Sequence, residues 1–269
     1  MEGDPPEGPG PRRKEVLCRV HRGSSVSVGE YDAWLFDLDG VITNTASVHA
    51  AAWKEMFDGY LKEVSEREGI PFVHFEVDPD YYNYVDGKPR YEGVDAFLRS
   101  RGIALGWGTP DDPPSTETVC GLGNRKNAAF NEAVRTRGVE VFESSVVLVR
   151  ELRSRGKGVA VVTSSKNGEA VLAAAGILSL FDARVDGNVA VERKLAGKPA
   201  PDTFEEAARM LDSPPERAVV VEDAISGVRA GRTGGFGLVV GVARGEAPEV
   251  LQSSGADLVV HDLAELELV

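Results

Sequence analysis

"WLFDLDGVIT", residues 34–43, closes an apolar run on two aspartates one residue apart. Trp34, Leu35 and Phe36 read as a strand entering a core. A carboxylate at the end of such a strand is costly unless a cation or hydrogen-bond donors compensate it. Asp39-Gly40 is also a common turn pair, so this stretch alone allows a strand that simply runs out into a turn.

The pattern recurs along the chain. Short apolar, β-branched runs stand at "GVAVVT" (158–163), "AVVVED" (218–223), "FGLVVGV" (236–242) and "ADLVVHD" (256–262). Helical patterns lie between them at 144–156, 167–176, 200–211 and 224–235. Strands that are apolar throughout and alternate with helices indicate a parallel sheet covered on both faces. The expected fold class is α/β, with a doubly wound, Rossmann-like parallel-sheet core. Residues 46–139 break the rhythm: 46–69, 91–102 and 116–138 read as helices, with no strong strand among them. A mostly helical cap domain inserted after the first strand would cover the C-terminal edge of the sheet, where open α/β sheets bind ligands. "MEGDPPEGPGPRRKE" (1–15) offers nothing to bury. The expected divisions are a poorly ordered tail at 1–31, a core at 32–45 and 140–269, and a cap at 46–139.

The bulk numbers narrow the function. With 269 residues, 42% hydrophobic and 27% charged, the chain has the composition of an ordinary globular protein. A net charge of −13 argues against nucleic-acid and anionic-membrane surfaces, which need clustered cations. Cys18 and Cys120 fit neither a zinc framework nor a disulfide scaffold. No run reaches the length of a membrane span and no secretory signal is evident, so a cytoplasmic protein is expected.

In a parallel sheet the strand ends meet at one crevice. Here they deliver Asp37 and Asp39, then Thr163, then Glu222 and Asp223, while "GKPAPD" (197–202) adds Lys198. Each has a plain reading alone. Thr163 can bond its own backbone, Lys198 can be a surface cation, and the acidic pair at 222–223 can cap a helix. Together, in order and on one edge, they make a site. Clustered carboxylates repel unless a hard cation joins them, and an oxygen-lined site suits Mg²⁺.

The order "DLDGV", "VVTSS", "GKP", "VVEDAISG" resembles the haloacid dehalogenase superfamily of phosphotransferases. "FDLDGVITNTASVHAAAW", "TSSKNG" and "GKPAPDTF" resemble its β-phosphoglucomutase branch over roughly residues 32–265. The resemblance implies that Asp37 is a nucleophile carrying the phosphoryl group and that Asp39 is the general acid and base. It implies a Mg²⁺ held by Asp37, the Asp39 backbone carbonyl and Asp223, with Glu222 acting through water. Thr163, the Ser164 backbone and Lys198 would hold the transferring phosphate. His49 matches a cap histidine that couples closure to Asp39; by itself it would read as a solvated helix-face residue. Arg90, Ser165, Lys166 and Asn167 match a grip on a second, distal phosphate, and Lys126 and Asn127 match cap positions that reach the substrate. The implied substrate is a sugar phosphate, and the implied protein a monomer or weak dimer.

The chain departs from the branch in three places. Asn44 stands where Asp is frequent in the hinge, "VFESSV" (141–146) replaces a Pro-Gly turn, and "FVHFEVDPDYYNYVDG" (72–87) lengthens the cap. A sugar-phosphate phosphatase is the nearest rival, since water can discharge the same intermediate. A phospho-receiver domain is excluded because its acceptor lies on a later strand and no large insert follows its first. "DLDG" is not a calcium loop, which needs Gly at its sixth position and Glu at its twelfth; these are Ile42 and Val48. "GLGNRK" (121–126) lacks the third glycine of a dinucleotide fingerprint.

Overall fold

The computed structural model describes residues 24–86 and 88–269. Its core is a six-stranded, all-parallel sheet. The strands are β2 (Ala33–Phe36), β3 (Gly158–Val162), β4 (Ala183–Val185), β5 (Ala218–Glu222), β6 (Leu238–Val242) and β7 (Leu258–Val260), in the spatial order β4-β3-β2-β5-β6-β7. Helices α4 (Glu143–Ser154), α5 (Gly168–Ala174), α6 (Gly187–Arg193), α7 (Asp202–Met210), α8 (Ile225–Thr233) and α9 (Pro248–Ser254) connect them. β2 shows why the runs are apolar throughout. Trp34 and Phe36 join one core with Val146, Val149 and Leu152 of α4. Ala33 and Leu35 join another with Phe204 and Ala207 of α7 and Val228 of α8. Successive side chains point to opposite faces, and both faces are covered.

The first described residues fall within the tail expected at 1–31 and yet join the core. Ser24–Val26 forms β1, which pairs in parallel with the C-terminal strand β8 (Leu266–Leu268). Val26 and Val28 are buried in the same core as Trp34. Val28 N–H donates to Val269 O at 2.9 Å, and Val269 N–H donates to Val26 O at 3.0 Å. The core therefore begins before Asp32, because two valines and a free C-terminal strand satisfy one another. The remainder of the expected tail, 1–23, lies outside the described residues.

Between β2 and α4 lie α1 (Ala46–Glu68), α2 (Arg90–Ser100) and α3 (Val119–Arg137), with a short π-helical segment at Val77–Val85. They enclose an apolar cluster of their own. Trp53, Phe57 and Tyr60 of α1 meet Phe75, Tyr81, Phe97 and Leu122. The aromatic segment at 72–87 thus contributes two rings to this core, with Phe75 stacked on Phe57 at 5.1 Å. Thr118 caps α3 by accepting from Gly121 N–H at 2.9 Å. Among the described residues, no helix is long and apolar enough to cross a membrane.

Candidate active site

Register decides which residues meet. Phe36 pairs with Val161 on one side and Val221 on the other. The next residue of each strand, Asp37, Val162 and Glu222, reaches the same edge. Lys198, from the loop before α7, places its Nζ 2.5 Å from both Asp37 Oδ1 and Glu222 Oε1, and 3.3 Å from Val162 O. Glu222 also accepts from Ala224 N–H at 2.8 Å. A Cβ on Gly227 would sit 1.7 Å from Glu222 Oε1, so the helix after β5 must carry glycine where the glutamate packs. Gly40 has φ +89°, and a Cβ there would lie 1.8 Å from Asp223 Oδ2. The turn glycine of "DLDG" is what lets Asp223 approach.

Asp37, Glu222 and Asp223 can each offer one carboxylate oxygen within 4.8 Å of the others. Three acidic groups face one lysine. Burial, with Glu222 and Asp39 nearby, pushes the Asp37 carboxyl well up against the pull of Lys198. Burial, Glu222 and Asp37 do the same to Asp223. An oxygen-only donor set with uncompensated negative charge fits a hard divalent cation such as Mg²⁺. The residues present therefore fit the metal.

Asp39 points elsewhere. Its carboxylate accepts from Thr45 Oγ1, lies 3.4 Å from Thr163 Oγ1 and stands 3.4 Å from His49 Nε2. Burial would raise its pKa, but His49, Thr45 and Lys126 outweigh this and hold it down to about 2. His49 is not a solvated surface residue. Its ring stacks on Phe130 with centroids 3.9 Å apart, and its Nδ1 lies 2.5 Å from Lys126 Nζ. Burial and the Lys126 charge lower the His49 pKa against the pull of Asp39. Lys126, over the rings of Trp53 and Phe130, is itself lowered to about 7 by burial and by Arg90.

A second polar cluster lines the same cleft. Arg90 donates to Asn127 Oδ1 at 2.9 Å, and Asn167 Nδ2 donates to the same oxygen at 2.7 Å. Asn167 N–H donates to Ser165 Oγ at 3.2 Å, and Ser165 N–H donates to Thr163 Oγ1 at 3.1 Å. Lys166 Nζ hangs over the Tyr91 ring at 5.8 Å, its backbone carbonyl bound by Asn188. One cavity of about 800 Å³ between cap and core takes in both clusters, Ser164 included, so every site residue read from the sequence lines it. Thr45, Tyr81 and Asp86 escaped that reading. Thr45 lay inside the quoted "GVITNTA" and could have been singled out. Tyr81 and Asp86 sit in a segment with no motif, and only the fold carries them to the cleft.

A model of haloacid dehalogenase-like hydrolases matches residues 31–235. A β-phosphoglucomutase of Mycobacterium tuberculosis is 52% identical over 87% of this chain and 90% of its own length. The β-phosphoglucomutase of Bacillus subtilis is 30% identical over 88% of this chain and 92% of its own. The crystal structure of a β-phosphoglucomutase from Clostridium difficile superposes with a TM-score of 0.69, covering 88% of this chain and 93% of that one at 24% identity. With the geometry, these matches place the chain among the haloacid dehalogenase-like hydrolases, in the β-phosphoglucomutase-like branch, as an enzyme of phosphoryl transfer.

Proposed function

We propose that this enzyme is a Mg²⁺-dependent, cytoplasmic phosphomutase that interconverts β-glucose 1-phosphate and glucose 6-phosphate, acting as a monomer or weak dimer. The observation that carries the reading is the second polar grip. Arg90, Asn127, Lys166 and Asn167 line the same cavity as Lys198, share no hydrogen bond with it, and have the donors that an anion needs. A substrate with phosphates at both ends needs two such sets of donors. A guanidinium pairs two phosphate oxygens at once, which suits Arg90 to the non-reacting phosphate.

In this reading Asp37 Oδ attacks phosphorus as the bond to the leaving oxygen breaks, and Asp39 supplies the proton that oxygen needs. In the next half-reaction Asp39 takes a proton from the incoming sugar hydroxyl, whose oxygen attacks the phosphorus on Asp37. With its pKa held down to about 2, Asp39 is suited to that second role. A phosphate anion bound beside it raises its proton affinity for the first. Thr163, Ser164 and Lys198 hold the transferring oxygens. Asp37, Asp223, the Asp39 carbonyl and Glu222 would hold Mg²⁺, which supplies charge neutralisation for the phosphoryl group. His49, bridged to Lys126 on the cap, ties the orientation of Asp39 to the cap being closed.

Phosphorus NMR tests the reading, starting from β-glucose 1-phosphate with a trace of glucose 1,6-bisphosphate. Accumulation of glucose 6-phosphate with little inorganic phosphate is expected. Inorganic phosphate as the main product would instead make the protein a sugar-phosphate phosphatase.

A further inference from the structure

Asp86 is an anomaly in a cleft built for phosphates. It lines the cavity, yet the charges that face it most strongly are Glu222, Glu246 and Asp39, all negative. Burial and these neighbours raise its carboxyl to about 6, while a hydrogen bond from the Tyr81 side chain works the other way. The residue is also held firmly. Asp86 N–H donates to Tyr81 O at 2.9 Å, closing the π-helical segment, and Tyr81 is buried in the cap core. Next to it, Tyr82 packs edge-on against Tyr81 at 5.5 Å and reaches the core loop after β6, where a Cβ on Gly245 would lie 3.3 Å from its hydroxyl. Pro89 meets Gly197 on the neighbouring loop. A half-buried carboxyl in a cap segment whose neighbours Tyr82 and Pro89 reach the core is costly to keep charged and needs a counterpart.

A phosphate cannot be that counterpart, because an anion beside this carboxyl would add to the repulsion. It shares the cleft with both polar clusters. It faces Asp39 and Glu222 at the reacting end, and it precedes Arg90 of the distal grip by four residues. Between two phosphate grips lies the uncharged middle of the substrate. From this we infer that Asp86, seated by Tyr81, is a specificity-determining residue that recognises neighbouring hydroxyl groups on the sugar ring. The carboxyl accepts from one hydroxyl, and the tyrosine oxygen, whose own proton goes to Asp86, can accept from the next. A site built to bond a hydroxyl strongly rejects an analogue that lacks it, which gives the cap a selection that phosphate grips cannot supply. The inference rests on the sugar-phosphate reading above.

The test compares wild type, Asp86→Asn, Asp86→Ala and Tyr81→Phe on β-glucose 1-phosphate, on its 2-, 3- and 4-deoxy analogues and on acetyl phosphate, which has no ring. Wild type should lose about 10- to 100-fold in kcat/KM on at least one deoxy analogue, the scale of one hydrogen bond to a charged group. Asp86→Ala should lose a similar factor on the parent sugar, no longer distinguish that analogue, and fall less on acetyl phosphate than on the sugar. Asp86→Asn, nearly isosteric, gives the same comparison if the alanine variant does not fold. Equal losses on sugar and acetyl phosphate, unaltered discrimination among the analogues, or a loss recovered by excess Mg²⁺ would each overturn the inference. A wild type that hydrolyses acetyl phosphate but turns over no sugar phosphate topples the proposed function as well. Wild-type activity on sugars with unaltered variants topples this assignment alone.

Discussion

Lys126 sits where a lysine is least at home, over two aromatic rings and beside Arg90. Its pKa falls from an ordinary 10.5 to about 7, and the direction carries a stability consequence. Below pH 7 both folded and unfolded chains hold the proton, and the full penalty of a buried charge is present. Between about 7 and 10.5 the unfolded chain binds the proton more tightly than the folded one, so stability rises with pH. Each pKa unit corresponds to ~1.4 kcal/mol. Lys126→Met should therefore raise the thermal midpoint of the metal-free enzyme at pH 6, with the gain shrinking toward pH 10. A gain that does not depend on pH would contradict the buried charge. Asp37 makes a second residue-scale case. Asp37→Asn removes the nucleophile of the proposed mechanism but keeps its shape, and Lys198 retains Glu222 at 2.5 Å. Turnover should fall by ~10³-fold or more while the variant unfolds close to the wild-type temperature. Wild-type turnover in a folded variant would refute the nucleophile. Sequence order exposed Asp37 because strand ends in a parallel sheet share an edge. Asp86 was invisible because its partners come from three other stretches of chain, and no periodicity encodes that.

At the scale of elements, what the sequence makes legible follows how much apolar surface each element buries. β2, β3, β5 and β6 are buried on both faces, and their continuous runs announce them. β1, β4, β7 and β8 have three residues each, but only β7 is apolar throughout; Ser24 and Ser25, Arg184 and Glu267 interrupt the others, and β1 pairs with β8. The short helices α6 and α9 leave no pattern in the sequence, unlike α5 of the same seven-residue length, whose Ala-rich run announces it. β1 nevertheless contributes to stability. Val26 and Val28 are 5% and 3% exposed and cover the core behind Leu266. Fully burying a valine is worth about 1.5–3 kcal/mol, so deleting residues 1–28 should lower the unfolding free energy by ~3–5 kcal/mol. Denaturant titration measures this, and an unchanged midpoint would show that the β1–β8 pair contributes nothing.

For the whole molecule, the proposed mechanism requires the two crossings between core and cap to keep the phosphorylated aspartate shielded from water. They lie side by side. Asn44 N–H donates to Glu140 O at 2.9 Å, Phe142 N–H donates to Ile42 O at 2.9 Å, and Thr43 bridges Val141 in antiparallel fashion. Asn44 Nδ2 adds a bond to Glu140 Oε2 at 2.9 Å, so the hinge departure noticed in the sequence closes a link across the two crossings. Asn44→Asp would set a carboxylate against Glu140 and turn that link into repulsion. The pair is exposed, so the effect is modest, about 0.2–1 kcal/mol and weaker at high salt. Opening should become about 1.4- to fivefold more frequent. A mutase whose cap opens more often loses more of its phosphoryl groups to water. The ratio of inorganic phosphate to glucose 6-phosphate should rise by the same factor in Asn44→Asp, and fall back when Glu140→Gln is added. A ratio that does not move in the single variant would mean that this link plays no part in holding the cap closed. A rise that the second substitution fails to reverse would trace the leak to some other consequence of the new charge.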